Sequence, residues 1–66
     1  MKIVVNGETK SFEPGETVAE LLTRLSYEGR AFAVAINLEF VPRGEYETKL
    51  VTENDRIEIV SPLQGG

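Results

Sequence analysis

The 66-residue sequence contains neither cysteine nor histidine. Without cysteine the chain has no disulfide and no thiolate nucleophile, and without histidine it lacks the usual residue for proton transfer near neutral pH. These two absences also exclude the usual zinc sites. A chain of this length forms one domain with one small core and leaves no room for a cleft between domains. We therefore expect a protein that is not itself an enzyme and that binds no metal.

Long apolar runs and clustered positive charges are also missing. The first apolar run, residues 3–5, is too short for the core of a signal peptide or for a membrane span. The 7 basic residues face 11 acidic ones, for a net charge of −4, and they are scattered without an aromatic cluster. The sequence thus predicts a cytoplasmic protein that binds neither membrane nor nucleic acid. An acidic surface is usually just solvated, although it also suits a basic protein partner.

The composition is that of a folded protein, and the N-terminal end predicts a β-hairpin. Hydrophobic residues make up 41% of the chain and charged residues 27%, close to the averages for folded soluble proteins. Asn6-Gly7 joins two short apolar-rich runs and is a strong signal for a type I′ turn, because both residues accept positive φ. We expect strands at about 2–6 and 8–12, with purely structural roles for the turn residues.

A helix is predicted to begin directly after Thr17. Thr17 and Glu20 have the spacing of a capping box, in which each side chain accepts a hydrogen bond from the backbone N–H of the other residue. Apolar residues then follow at positions i, i+3, i+4 and i+7, namely Val18, Leu21, Leu22 and Leu25. Gly29 is expected to provide the left-handed exit from the helix. A single apolar stripe of about two turns predicts a helix that lies on a sheet.

The second half of the chain alternates with period two, which predicts strands. Residues 32–36 alternate large and small side chains, and a turn at 37–39 leads into a short strand at 40–41. Residues 43–50 read as irregular structure or a single turn, and residues 56–60 as the last strand. Together with the hairpin and the helix, these elements predict an α+β domain, a mixed sheet of four to five strands crossed by one helix.

One face of this sheet should be smooth and apolar. If Phe32, Val34 and Ile36 face the helix, the residues between them face away from it. The residues expected on the outward face are Val4, Ala33, Ala35 and Val60. Exposed apolar patches often mark surfaces for partner proteins, while a wrong strand register is the alternative explanation.

Acidic residues in the C-terminal part of the chain raise the question of a metal site or an acid–base pair. They are Glu45, Glu47, Glu53, Asp55 and Glu58. Their spacing lacks the alternating ligand series of an EF-hand. Since carboxylates in proteins are mostly exposed, we expect these residues to be solvated surface.

The final residues, SPLQGG, fit neither a helix nor a strand. We expect residues 1–60 to form the domain and residues 61–66 a flexible tail, because ordering one backbone residue costs about 1–2 kcal/mol and glycines bury nothing in return. Without Cβ atoms at Gly65 and Gly66, a narrow enzyme site can close around the backbone and reach the terminal carbonyl. A free carboxylate is ionised and a poor electrophile, so it would need ATP-dependent activation. Leu63 either anchors the tail in a partner or packs back on the domain, and a chance pair of glycines is the alternative reading of the tail.

Four stretches occur in the order of a known family: VAIN at 34–37, VPR at 41–43, NDRIEIV at 54–60 and the closing Gly65-Gly66. On these residues the chain resembles the ThiS family, the ubiquitin-like sulfur carrier proteins of bacterial thiamin biosynthesis, over essentially its whole length. The resemblance implies a β-grasp fold. Family members commonly have Gly-Asp where this chain has Asn54-Asp55, a mild change because asparagine also tolerates left-handed geometry.

The resemblance further implies a carrier cycle in which Gly66 is the modified residue. An ATP-dependent adenylating enzyme would activate the Gly66 carboxylate, and a sulfur donor such as a cysteine desulfurase would convert it to a thiocarboxylate. Thiazole synthase would then draw on that sulfur to build the thiazole of thiamin. Leu63, Gln64 and Gly65 would serve as tail contacts, and the chain itself would bind no cofactor, since the activating enzyme uses the ATP.

Three other functions stay open at this point. The sulfur carrier of molybdopterin synthesis shares the fold and the Gly-Gly end but is generally longer. A ubiquitin-like modifier would join Gly66 to a lysine of a target protein. A non-covalent interaction module would not need the two glycines at all.

Overall fold

The computed structural model describes residues 1–27 and 33–60 of the chain. The elements in chain order are β1 (Lys2–Val5), β2 (Glu8–Ser11), α1 (Val18–Arg24), β3 (Ala33–Ile36), β4 (Glu39–Val41), a 3-10 helix (Arg43–Glu45) and β5 (Arg56–Val60). The predicted α+β architecture is confirmed for this part of the chain, with five strands in one sheet. The predicted tail, residues 61–66, lies outside the described residues.

The five strands form a mixed sheet in the order β2-β1-β5-β3-β4. β1 runs parallel to β5, whereas the β1–β2, β3–β5 and β3–β4 pairs are antiparallel. It follows that β2 and β3 point in the same direction, with β1 and β5 between them. In the chain, α1 connects β2 to β3 and crosses the sheet. The last strand in sequence is therefore the central strand of the sheet.

Two tight turns close the two hairpins. Asn6 and Gly7 have φ angles of 49° and 84°, and Asn37 and Leu38 have φ angles of 52° and 70°. Positive φ at two successive residues is the mark of the type I′ turn, so the predicted Asn6-Gly7 turn is confirmed. The second turn is one residue shorter than predicted, because β4 already begins at Glu39.

The capping box at the start of α1 is confirmed. The Thr17 hydroxyl oxygen accepts a hydrogen bond of 3.2 Å from the Glu20 N–H, and the Glu20 carboxylate accepts one of 2.9 Å from the Thr17 N–H. Two of the backbone donors that a helix start leaves unpaired are satisfied by these reciprocal bonds.

The segment that follows the 3-10 helix satisfies two further donors of α1. The N–H of Val18 donates to the carbonyl of Lys49 over 2.9 Å, and the N–H of Ala19 donates to the carbonyl of Tyr46 over 2.8 Å. This segment, predicted from the sequence as irregular structure or a single turn, therefore closes the N-terminal end of the helix.

The helix ends earlier than predicted. Ser26, with φ of 65°, takes the left-handed exit position that we assigned to Gly29, which lies outside the described residues. The N–H of Tyr27 donates to the carbonyl of Leu22 over 2.8 Å and the N–H of Ser26 to that of Thr23 over 3.1 Å, the two bonds of a Schellman motif. Tyr27 also packs against the core, and this apolar contact favours an end here over a further turn of helix.

The core lies between α1 and the inner face of the sheet. Its buried apolar side chains form one cluster: Ile3, Val5, Phe12, Val18, Leu21, Leu22, Val34, Ile36, Val41, Val51, Ile57 and Ile59. Helix positions of the predicted stripe and alternate strand positions both contribute, as their periodicities predict. Leu25 packs against the cluster while partly exposed, and Phe32 lies outside the described residues.

One ion pair ties α1 to the end of β2. The Glu16 carboxylate, in a residue only 8% exposed, accepts hydrogen bonds of 2.8 Å and 3.0 Å from Nε and Nη2 of Arg24. Nη2 also donates to the Ser11 carbonyl over 2.8 Å. The hydrogen bonds from Arg24 hold the pKa of Glu16 below the usual 4.5, against the opposing effect of burial.

This lowered pKa predicts an acid-sensitive part of the stability. Because the folded state binds the Glu16 proton less tightly than the unfolded state, the pair stabilises the fold above pH 4.5 and this stabilisation is lost as the pH falls through the lower folded pKa. We expect Glu16→Gln to lower the free energy of unfolding by about 1 kcal/mol at pH 7, after allowing for the partial exposure of Arg24. Urea unfolding at pH 7 and at acidic pH measures this difference between wild type and variant.

The difference should shrink in acid, and a difference independent of pH would show that the carboxylate does not carry the effect. Glu8→Gln is the matched control, since Glu8 forms an exposed ion pair of 3.5 Å with Lys10 and its side chain is 74% exposed. Such surface pairs contribute little to stability, so this variant should unfold like the wild type.

Candidate functional site

The predicted site residues at the end of the chain, Leu63, Gln64, Gly65 and Gly66, lie outside the described residues. What the structure does place is their point of departure, because β5 ends at Val60. The end of β5 and the residues that hold it therefore form the base of the candidate site.

β3 holds β5 along one side over four consecutive pairs, from Ala33 opposite Val60 to Ile36 opposite Ile57. On the other side β1 pairs with β5 only at its beginning, where Val5 lies opposite Ile57 in the second and last pair. β3 thus pairs with β5 as far as Val60, whereas the main chain of β1 pairs only with the first two residues of β5.

The side chain of Asn6 completes the β1 side. Its Oδ1 accepts a hydrogen bond of 2.8 Å from the N–H of Ile59, and its Nδ2 donates to the carbonyl of Ile59 over 3.2 Å. Nδ2 also lies 3.4 Å from the hydroxyl oxygen of Tyr27, and the Asn6 N–H donates to the carbonyl of Ile57 over 2.9 Å. The sequence predicted Asn6 only as a turn residue, and a contact with a residue 53 positions away leaves no signal in a local pattern.

A second asparagine holds the opposite end of β5. Oδ1 of Asn37 accepts a hydrogen bond of 3.0 Å from the N–H of Arg56, and its Nδ2 donates over 3.0 Å to the carboxylate of Asp55. That carboxylate also accepts a bond of 2.8 Å from the N–H of Thr52. Asn54 has a φ of 69°, in line with the left-handed geometry we expected asparagine to tolerate there.

The prediction of a solvated surface is wrong for Asp55, which is only 7% exposed. Its hydrogen bonds to Asn37 and Thr52 compensate for the loss of water around the carboxylate. Glu45, Glu47, Glu53 and Glu58 are exposed as predicted. Within residues 1–27 and 33–60, no group of three or more acidic side chains is arranged to hold a metal ion.

The outward face of the sheet is apolar only in part. Ala33 and Ala35 are half-buried and Val60 is 54% exposed, with Val60 directly opposite Ala33. Phe40, 67% exposed, lies opposite Ala35 on β4 and extends this patch. Phe40 was predicted only as part of a short strand, and the burial of Val41 next to it accounts for its outward position.

Val4 does not join that patch. It lies on β1 opposite Arg56, and along β5 both Arg56 and Glu58 are exposed. The prediction of one smooth apolar face is therefore wrong at Val4, because charged residues of the central strand lie between it and Ala35. We call Ala33, Ala35, Phe40 and Val60 the outer patch.

A membrane span is not found in the part of the chain that the structure describes. α1, with seven residues, is far shorter than the roughly 20 residues that cross a bilayer.

A mixed sheet crossed by a helix, with the C-terminal strand at its centre, is the β-grasp architecture of ubiquitin-like proteins. The whole chain matches the whole of a crystal structure of the thiamine biosynthesis protein ThiS from Geobacter metallireducens, with a TM-score of 0.80 and 27% sequence identity. The ThiS family model matches residues 3–66, and the chain belongs to the ThiS family. The resemblance predicted from the sequence is confirmed.

Two relatives have informative lengths. The sulfur carrier protein ThiS of Escherichia coli (strain K12) is 33% identical over 66 residues, which is the full length of both chains. A thiazole synthase of Paramagnetospirillum magneticum is 42% identical over the same 66 residues, but these are only 20% of its own length. The chain thus spans about one fifth of this longer relative, which contains a stretch similar to it.

Proposed function

We propose that this chain is a sulfur carrier of thiamin biosynthesis that bears the sulfur on the carboxyl group of Gly66. The observation that carries the proposal is the match to the ThiS family over residues 3–66, which includes Gly65 and Gly66. The full-length similarity to the sulfur carrier protein of Escherichia coli supports it. A carrier role, as opposed to an enzymatic one, suits a chain without cysteine or histidine. The family match favours the thiamin pathway over the molybdopterin alternative.

The chemistry proceeds in two steps at the same carboxyl group, the first at one of its oxygen atoms and the second at its carbon atom. An ATP-dependent adenylating enzyme joins the Gly66 carboxylate to the α-phosphate of ATP and releases pyrophosphate. A sulfur nucleophile at the oxidation level of hydrogen sulfide then displaces AMP and leaves a thiocarboxylate. A cysteine desulfurase supplies this sulfur as a persulfide, which a thiol reduces to that level. Thiazole synthase is the acceptor.

The domain contributes a defined starting point for this tail. Six residues follow Val60, and even fully extended they span at most about 20 Å. An enzyme that acts on Gly66 must therefore approach the end of β5 closely. Glycine at the last two positions lets its active site close around the backbone.

We assign the outer patch as the surface that thiazole synthase contacts when it binds the tail. Val60 belongs to the patch and is also the residue from which the tail departs, so a protein that holds the tail lies next to the patch. The thiazole synthase of Paramagnetospirillum magneticum contains a stretch similar to this chain, which supports a thiazole synthase as the partner. Titration with thiazole synthase should shift the NMR signals of Ala35 and Phe40 more than those of Val4.

Sulfur loading tests the proposed function. The chain is incubated with an activating enzyme of the thiamin pathway, ATP, cysteine, a cysteine desulfurase and dithiothreitol, and its intact mass is measured. We expect a product in which one oxygen is replaced by sulfur, and no such product when ATP is omitted. A wild-type chain that gains no sulfur while the Escherichia coli carrier is loaded in parallel contradicts the proposal.

A further inference from the structure

We propose that Asn6 is a positioning residue that fixes the point where the chain leaves the sheet towards the Gly-Gly tail. Both polar atoms of its carboxamide bind the two backbone groups of Ile59, next to the last residue of β5. This inference rests on the proposed function, because it assigns to Asn6 a part in presenting Gly66. Asn6 does not touch the reacting atoms and acts through the backbone of Ile59.

The main chain of β1 cannot hold Ile59 itself. β1 ends at Val5, and the turn at Asn6 and Gly7 carries the chain away into β2. The last main-chain bond to β5 runs from the Asn6 N–H to the carbonyl of Ile57. Since every second residue of a strand presents its N–H and C=O to the same neighbour, Ile59 faces the position that β1 has vacated.

A carboxamide is the side-chain group that replaces a peptide unit most closely, because it offers one carbonyl acceptor and an N–H donor. Asn6 thereby continues the ladder by one pair with its side chain. The same residue must adopt a φ of 49°, which asparagine tolerates better than most residues. The turn alone would accept glycine or aspartate at this position, whereas the bond to the Ile59 carbonyl needs the amide nitrogen.

Loss of the two hydrogen bonds between the Asn6 side chain and Ile59 should weaken the docking of the tail more than it slows the chemical step. With the Ile59 backbone released on one side, the end of β5 samples more positions, and binding to an enzyme has to order it again. The free-energy cost of ordering about one backbone residue corresponds to a factor of roughly 5 to 30 in the equilibrium constant of binding. A cost paid on binding raises KM and leaves kcat unchanged.

Asn6→Gly and Asn37→Gly form a matched pair for the test. Each removes an asparagine side chain from the first position of a type I′ turn, and glycine accepts the left-handed backbone at both. Asn37, however, holds Arg56 and Asp55 at the far end of β5. Both variants lose side-chain hydrogen bonds, but only Asn6→Gly frees the strand end that leads to the tail.

The experiment measures pyrophosphate release by the activating enzyme against carrier concentration for the wild type and both variants. We expect KM to rise roughly 5- to 30-fold for Asn6→Gly, with kcat unchanged, and to stay at the wild-type value for Asn37→Gly. Amide hydrogen exchange followed by NMR should speed up at Ile59 in Asn6→Gly alone.

Asn6→Asp provides a second variant if Asn6→Gly does not fold, since aspartate is tolerated in the turn and keeps the acceptor for the Ile59 N–H but lacks the donor. Because its second carboxylate oxygen would face the Ile59 carbonyl oxygen without a hydrogen bond, its KM should also lie above the wild-type value. Equal KM values for the Asn6 and Asn37 variants overturn the inference. A wild-type chain that supports no pyrophosphate release refutes the proposed function and the inference with it.

Discussion

A chain that lacks Gly65 and Gly66 is expected to fold like the full chain and to accept no sulfur. Among residues 1–27 and 33–60 the core cluster extends from Ile3 to Ile59, and the deletion removes none of these residues. The new terminal carboxylate, on Gln64, would lie about 7 Å short of its former position along an extended tail. Since a misplacement of about 1 Å can cost a reaction roughly 100-fold in rate, loading should fall below detection.

The measurement compares intact mass after loading with thermal unfolding of the same samples. Gly66→Ala is the matched variant, because it keeps the length of the tail and adds only a Cβ atom at the reacting residue. It should be loaded more slowly than the wild type, while the deletion is not loaded at all. Full loading of the shortened chain would refute the carrier function and favour a non-covalent interaction module.

The largest effect on stability is expected for Leu21→Ala. Leu21 belongs to α1 and is fully buried against the sheet. Truncation of such a leucine costs about 2–5 kcal/mol through lost burial and the cavity left behind. A domain of this size has a total free energy of unfolding of about 3–10 kcal/mol. The substitution should therefore remove a large part of the stability, and urea unfolding followed by circular dichroism measures the loss.

Leu38→Ala is the control for this prediction. Leu38 is 87% exposed, and surface substitutions usually change stability by no more than about 0.5 kcal/mol. If the two variants unfolded at the same urea concentration, the packing of Leu21 at the centre of the core would be contradicted.

The parts of the fold predicted correctly are those with short-range causes. The Asn6-Gly7 turn depends on the backbone preferences of two adjacent residues, and the capping box depends on Thr17 and Glu20, three positions apart. The alternation in β3 and β5 likewise reports which side chains share a face, whatever the partner strands are. Each of these features is encoded within a few residues, and each was confirmed.

The end of α1 was predicted wrongly, because local preferences alone do not determine where this helix ends. Glycine is the usual residue at a helix exit, and Gly29 is the first glycine after the apolar stripe. The structure uses Ser26 instead, because the Schellman bonds place Tyr27 against the core. That apolar contact depends on where the sheet lies relative to the helix, which local preference does not contain.

By itself, the sequence determined the class of fold, the helix start, the first turn and the Gly-Gly end, since these follow from local geometry and residue chemistry. Only the tertiary structure decided that β5 lies at the centre of the sheet, that Asp55 is buried, and that Val4 is separated from the outer patch by charged residues. It also decided that Asn6 binds Ile59. Contacts between residues some 50 positions apart are set by which strands become neighbours, and strand order is a property of the assembled sheet.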